Sequence, residues 1–392
     1  MKEPSRIVRE IKPSGIRKFF DLASTVEGCI SLGVGEPDFD TPWHICDAAV
    51  QSMQQGRTHY TANRGLIELR REIARFHHER YGQDYNPENE IIVTTAGSEG
   101  VDISFRALLD PGDEVIVLDP NYVAYEPAIR MAGGEPVFIR LKEENGFKLL
   151  PEDLKNALTD KTKVLMLNYP SNPTGGVMTK EDYAALVDII KESGIYVISD
   201  EIYAEILFDG EFASLAQFPE IRDQIIVING FSKAFAMTGW RLGYLLASKE
   251  LSSLLNKVHQ YVMMSAPTAA QYAGIEALKN GYPEVCAMRE EYRARRNLVC
   301  NRLNRMGLKT NVPHGTFYVF ANITPTGLSS DEFAAELLKE EKVAVVPGTA
   351  FGPSGEGFVR MSYATSMDNL KKALAKIEDF TKKRGVVPAQ AE

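Results

Sequence analysis

The chain has 392 residues, 44% hydrophobic and 25% charged, which is ample to bury a core and to build two domains. Its net charge of −9, without any Lys/Arg cluster, leaves no electrostatic footprint for nucleic acid or an anionic membrane surface. The longest apolar runs are strand-sized, and Met1–Arg17 alternates charged and apolar residues, so neither a membrane span nor a secretory signal is expected. Cys29, Cys46, Cys286 and Cys300 are scattered, with no Cys-x-x-Cys or Cys/His spacing, which predicts free thiols in a reducing cytoplasm. The six histidines are dispersed and no His-Glu-x-x-His occurs, so no metal is expected.

In chain order, short runs rich in Val, Ile and Leu predict strands at Ile91–Thr95, Glu114–Leu118, Lys163–Leu167, Tyr196–Ser199 and Gln224–Ile228. Helical stretches separate most of them, such as Glu181–Glu192, with apolar spacing at Tyr183, Leu186, Val187 and Ile190. Near-continuous apolar strands alternating with helices predict an α/β fold with a mostly parallel sheet covered on both faces. The C-terminal third differs. A long charged amphipathic helix over Tyr282–Met306 is followed by a strand at Thr316–Ala321, a helix near Ser330–Glu340, a strand at Phe358–Tyr363 and a last helix near Ser366–Lys382. That pattern predicts a smaller α+β domain, with the boundary near Asn280–Gly281.

Ligands of an open α/β sheet sit beyond the carboxyl ends of its strands. After the first predicted strand comes Ala96-Gly97-Ser98-Glu99-Gly100, small residues opening a helix whose free amides suit an anion. After the second comes Tyr122, after the third the amide-bearing turn Asn168–Gly176 with Asn172, after the fourth Asp200 and Tyr203, and after the fifth Ser232-Lys233 with Arg241 close behind. An anion cup with Arg241 suits a phosphate. Asp200 can pair with a protonated ring nitrogen. Lys233, among Phe231, Phe235 and Met237, is expected to lose solvation and become nucleophilic. Phosphate, pyridinium and imine-forming aldehyde together describe pyridoxal 5′-phosphate (PLP). Singly, each residue has a plainer reading: a solvated lysine, an aspartate helix cap, a turn asparagine. The competing phosphate motif G-x-x-x-x-G-K-[ST] is absent, and Gly33-Val34-Gly35 lacks the third glycine and helix of a dinucleotide fingerprint.

The motifs SLGVGEPDFDTP (Ser31–Pro42), HYTANRG (His59–Gly65), YPSNPTGG (Tyr169–Gly176), SDEIY (Ser199–Tyr203) and GFSKAFAMTGWRLG (Gly230–Gly243) resemble those of the class I/II aminotransferases, fold type I PLP enzymes of the aspartate aminotransferase-like group. The resemblance covers nearly the whole chain. It implies a large PLP-binding domain over residues 46–280 and a small domain from 281–392 with the N-terminal segment 1–45. It implies that Lys233 carries the cofactor as a Schiff base and shuttles the proton. Asp200 would keep the pyridine nitrogen protonated, and Tyr203 and Asn172 would bond the phenolic oxygen. Tyr122 would stack on the ring, while Gly97, Ser98, Glu99, Ser232 and Arg241 would bind the phosphate. Tyr60 would reach the phosphate of a neighbouring subunit, which implies a homodimer. Gly35, Asn172 and Arg360 would bind the substrate, Arg360 by its α-carboxylate; without the resemblance Arg360 reads equally as a paired structural arginine. The implied reaction moves an amino group from an L-α-amino acid to a 2-oxo acid, 2-oxoglutarate, by ping-pong kinetics.

Two departures stand out. Gly230 occupies a position where some relatives place a phosphate-touching hydroxyl, which shifts that duty to Ser232 and Arg241. Glu99 stands where relatives preferring aspartate carry a lysine. It either turns inward, repelling a dicarboxylate, or points to solvent with only its amide in use. Ser98-Glu99, SGIRKFF (Ser14–Phe20) and KVHQY (Lys257–Tyr261) resemble the aminotransferase A branch, which implies basic or neutral donors. The rival readings are a PLP-dependent carbon–sulfur β-lyase on the same scaffold and a non-catalytic ligand-sensing scaffold. The TGWRLG and SNPTGG runs favour the transaminase over the first, and intact Lys233 and Asp200 disfavour the second.

Overall fold

The computed structural model describes residues 2–13, 15–16 and 23–389; Ser14 and residues 17–20 of the SGIRKFF motif lie outside the described residues. The chain enters the fold through β1 (Ile30–Ser31) and then builds a seven-stranded sheet. Its strands are β2 (Ile91–Thr94), β3 (Glu114–Asp119), β4 (Glu135–Arg140), β5 (Thr162–Asn168), β6 (Tyr196–Asp200), β7 (Ile225–Gly230) and β8 (Gly243–Ala247). The spatial order is β2-β8-β7-β6-β5-β3-β4. All neighbours run parallel except β8, which is antiparallel to both β2 and β7.

Strand periodicity explains the layers. Ile91, Val93, Ile116, Leu165, Leu167, Val197 and Val227 face a core shared with the helices Ile67–Tyr81, Lys180–Ser193 and Thr268–Asn280. The alternate residues Ile92, Val115, Val117, Val164, Met166, Ile198 and Ile226 face a second core under the helices Ala96–Leu108 and Lys249–Val262. Both faces are covered, so the strands read as unbroken apolar runs.

The strand ends lie slightly beyond the expected edges: β5 runs through Asn168, β6 through Asp200 and β7 through Gly230. Two strands of the seven-stranded sheet were not anticipated. Edge strand β4 is half exposed and contains Pro136 and Arg140, so its apolar signal is diluted. β8 is buried throughout but only five residues long, directly after the Trp240–Leu242 turn.

The C-terminal part forms the antiparallel sheet β11-β12-β9, from β9 (Tyr318–Asn322), β11 (Val346–Pro347) and β12 (Phe358–Ser362). Strand β10 (Val343–Ala344) pairs in parallel with β1. The helices Tyr282–Arg305, Ser330–Glu341 and Met367–Lys383 cover them around a core of Phe317, Val319, Phe333, Leu337, Leu374 and Phe380. The N-terminal segment is threaded into this unit: the Leu32 amide donates to Ala344 and the Leu32 carbonyl accepts from Ser362. Along the helix Tyr282–Arg305, Val285 packs into the large-sheet core and Tyr292, Val299 and Leu303 into the C-terminal one.

Gly243 opens β8 with its α-carbon against the start of the helix Ala96–Leu108. A Cβ there would lie 2.6 Å from the carbonyl carbon of Ala96 and 2.7 Å from the amide nitrogen of Gly97. Backbone cannot swing aside as a side chain does, so Gly243→Ala is expected to destabilise the fold by about 1–3 kcal/mol. The check is the urea unfolding midpoint, which should fall; an unchanged midpoint would show that β8 and the helix can separate freely.

Candidate active site

A cavity of 720 Å³ opens beyond the carboxyl ends of β2, β3, β5, β6 and β7, where the C-terminal unit meets the large sheet. Gly35, Gly97, Ser98, Tyr122, Asn172, Asp200, Tyr203, Ser232, Lys233, Arg241 and Arg360 all line it. Tyr60 does not; it is 81% exposed on the outer surface. The side chain of Glu99 does not line it either.

Lys233 follows β7 and extends its Nζ to the Gly35 carbonyl at 2.6 Å. Burial pulls its amine down to about 8; Glu36 opposes this, and the positive charge of Arg360 and Arg241 adds to it. Asp200 ends β6 and is buried. Its Oδ2 accepts from the Tyr125 hydroxyl at 2.8 Å and its Oδ1 from the Ile202 amide at 3.2 Å. Burial holds its carboxyl above the usual range, against these two hydrogen bonds and the attraction of Lys233. The Tyr203 hydroxyl lies 3.0 Å from that of Tyr318, and burial pushes its phenol up.

Arg360 comes from β12, paired between β9 and β11. It is 2% exposed, and among the described residues its guanidinium donates only to the Asn172 side-chain oxygen at 2.9 Å and the Gly33 carbonyl at 2.7 Å. Its Nε has no partner, and among the described residues no carboxylate pairs with it. The ring of Tyr318 lies beneath it, 4.2 Å from centroid to guanidinium carbon. A fully buried arginine without a counter-ion is costly, and so reads as a receptor for an incoming anion rather than as a structural ion pair. Gly35 is a glycine because a Cβ there would stand 2.8 Å from the Tyr318 hydroxyl.

On the opposite wall, Gly97 and Ser98 lie in the first turn of Ala96–Leu108, where helix amides lack intrahelical acceptors. Ser232, Thr238 and Arg241 close the same corner. Ala96, Ala236, Arg241 and Thr316 have positive φ of 64°, 52°, 53° and 65°. Such conformations cost on the order of 1–3 kcal/mol each and persist where surrounding structure enforces them.

The Glu99 side chain takes neither expected course. It turns away from both cavity and solvent, with Oε2 accepting from the Thr95 amide and Oε1 facing Nδ1 of buried His259. Thr95 is the N-cap, and the Glu99 amide follows those of Gly97 and Ser98 in the first turn of the helix. The reason is the partner on the helix Lys249–Val262, 160 residues away in the chain.

The sequence reading passed over Tyr125 and Tyr318, and placed Asn168 in the amide-bearing turn without giving it a role. Tyr125 follows Tyr122 at helical spacing, a usable signal. Asn168 sits at a strand end, with its Nδ2 donating to the Asp200 carbonyl and its Oδ1 accepting from the Asn172 amide. Tyr318 gave no signal, because it reaches Tyr203 only through tertiary folding. Among the described residues no cluster of His, Cys, Asp or Glu could hold a metal ion.

Known proteins place this geometry in a family. Residues 27–377 match the family described as Aminotransferase class I and II. The chain is 50% identical over 379 residues to the Bacillus subtilis protein named "Putative aminotransferase YugH", covering 97% of this chain and 98% of that one. It is 43% identical to aromatic-amino-acid aminotransferase 2 of Thermococcus litoralis, covering 96% and 98%. Its fold superposes on Thermus thermophilus aspartate aminotransferase with maleate at a TM-score of 0.92, with 40% identity over 97% of this chain and 100% of that one. The chain therefore belongs to the class I and II aminotransferases, with their fold type I architecture, and is a transaminase.

Proposed function

We propose that this transaminase binds PLP in the cavity and moves an amino group from an L-α-amino acid to 2-oxoglutarate by a ping-pong route. The observation that carries the reading is a set of three ionisable groups around one cavity with no mutual ion pair: the half-buried Lys233 amine, the buried Asp200 carboxyl and the buried Arg360 guanidinium. The donor set fits the cofactor. Asp200 is a buried carboxyl whose charged form is penalised, and a protonated ring nitrogen relieves that penalty. Gly97 and Ser98 offer first-turn amides, and Gly243 keeps β8 close behind them.

Bound there, PLP supplies an aldehyde for the amine and a ring that withdraws electrons from the substrate α-carbon. Lys233 Nζ would hold the aldehyde carbon, and as a free amine it would accept and return the substrate α-proton. Asp200, steadied by Tyr125, keeps the ring nitrogen protonated. Tyr203 and Asn172, both lining the cavity, would bond the phenolic oxygen, and Tyr122 would stack on the ring. Ser98, Gly97, Ser232 and Arg241 hold the phosphate. Arg360 clamps the substrate α-carboxylate, and the Gly35 backbone limits the space beside it.

A homodimer completes the site in this reading. Tyr60, 81% exposed, shares its surface with Tyr261 (88%), Met263 and Met264, and the Asn63 side chain ties the two segments by donating to the Met264 carbonyl. Such an exposed apolar patch fits an interface that sends Tyr60 to the neighbouring phosphate. The large domain is assigned to residues 46–280 and the small domain to 1–45 with 281–392. The cysteines are free thiols, which fits a cytoplasmic enzyme, and among the described residues no helix is long and apolar enough to cross a membrane.

Adding amino acids one by one to the PLP-loaded protein should shift the cofactor absorbance, and 2-oxoglutarate should reverse the shift. Pyruvate released from cystathionine without any oxo acid would instead establish the lyase. Arg360→Lys loses the bidentate fork, so kcat/KM should fall about 100-fold for every donor; a loss confined to one donor would remove Arg360 from the α-carboxylate. Because the neutral amine is the nucleophile and its pKa is lowered to about 8, the rate at which the PLP-free protein captures added PLP should rise with pH through about 8 and then level. Stopped-flow absorbance measures this, and a rate flat from pH 7 to about 9 contradicts the role of Lys233.

A further inference from the structure

Glu99 and His259 form a buried pair that the proposed reaction does not use. Their side chains are 3% and 0% exposed, and Nδ1 of His259 lies 2.5 Å from Glu99 Oε1. The other ring nitrogen, Nε2, lies 2.7 Å from the Asn63 carbonyl oxygen. A carbonyl only accepts, so Nε2 carries a hydrogen. Nδ1 and Oε1 then share one further proton. Whether it sits on nitrogen or oxygen, the pair as a whole has no net charge.

That neutrality matters because of where the carboxyl group is. Its second oxygen accepts from the Thr95 amide, at the N-cap of the helix whose first turn carries Gly97 and Ser98. Fixing Thr95 steadies this turn. An uncompensated carboxylate at the same place opposes any anion on the turn, because both draw on the positive end of the helix dipole. Among the described residues, His259 is the group that forms an ion pair with Glu99. Through Nε2 the same ring also holds Asn63, three residues after Tyr60.

We propose that His259 is a positioning residue for phosphate binding: it cancels the charge of Glu99, so that the carboxyl group anchors Thr95 without repelling an anion held by Gly97 and Ser98. This rests on the reading that the turn holds the PLP phosphate. The inference assigns Glu99 a task in cofactor retention rather than in choosing the amino donor.

The test is to titrate PLP, and pyridoxal as a probe without phosphate, into the full PLP-free chain. Wild type, His259→Gln and the double variant Glu99→Gln/His259→Gln are compared by absorbance. His259→Gln should weaken PLP about tenfold while changing pyridoxal less than about twofold. The double variant, which removes the carboxylate, should return PLP to within about threefold of wild type. Competition by inorganic phosphate should weaken in parallel in His259→Gln and recover in the double variant. An unchanged PLP affinity in His259→Gln overturns the inference. So does an equal loss for pyridoxal, which marks a general structural defect, or a double variant as weak as the single one. If wild type binds pyridoxal as tightly as PLP, the underlying phosphate reading fails, whatever the variants do.

Discussion

The site depends first on the parallel register of β5, β6 and β7. Asn168 pairs opposite Asp200, and Asp200 opposite Ile228, so three strands reach the same edge together. Apolar burial on both faces locks that register, since a one-residue slip would exchange the side chains of the two cores. The chain leaving each end then has no choice but to deliver its side chains to one place. Asn172 comes from the first, Tyr203 from the second and Lys233 from the third, with Asp200 as the last ladder residue of its strand. Asn168 binds across the edge, holding the Asp200 carbonyl and the Asn172 amide at once.

The other wall is built from chain far away in sequence. Strand β12 supplies Arg360, β9 supplies Tyr318, and the N-terminal segment places the carbonyls of Gly33 and Gly35 against Arg360 and Lys233. Nothing in this arrangement neutralises the guanidinium, and burial disfavours the charge on both Lys233 and Asp200. Left-handed backbone at Ala96, Ala236, Arg241 and Thr316 adds strain around the same space. A cavity lined with opposed, desolvated charges and strained backbone is less stable than an apolar core of equal size, and the apolar cores above and below the sheet offset that cost.

Glu99 shows how a neighbouring residue changes the meaning of a motif position. Read along the chain, it stands in the loop that opens toward an anion. In the fold it points backward into a histidine, and its charge concerns the helix behind the cup. A glutamate at this position therefore carries no direct information about the side chain of the amino donor.

The amino-acid sequence alone determined the alternation of apolar strands and helices, and so the parallel sheet, because those properties repeat over a few residues. It also carried Asp200, Asn172, Lys233 and Arg241 in short contiguous motifs, and these line one cavity in the structure. β4 escaped because an exposed edge dilutes its apolar pattern, and β8 because it follows β7 through a turn rather than a helix and so breaks the strand–helix alternation. Tyr318 beside Tyr203, Gly33 under Arg360 and His259 behind Glu99 were decided only by the tertiary structure. Each pair is separated by more than a hundred residues. Local spacing encodes which face of an element a side chain occupies; which distant face it meets is set by how the elements pack.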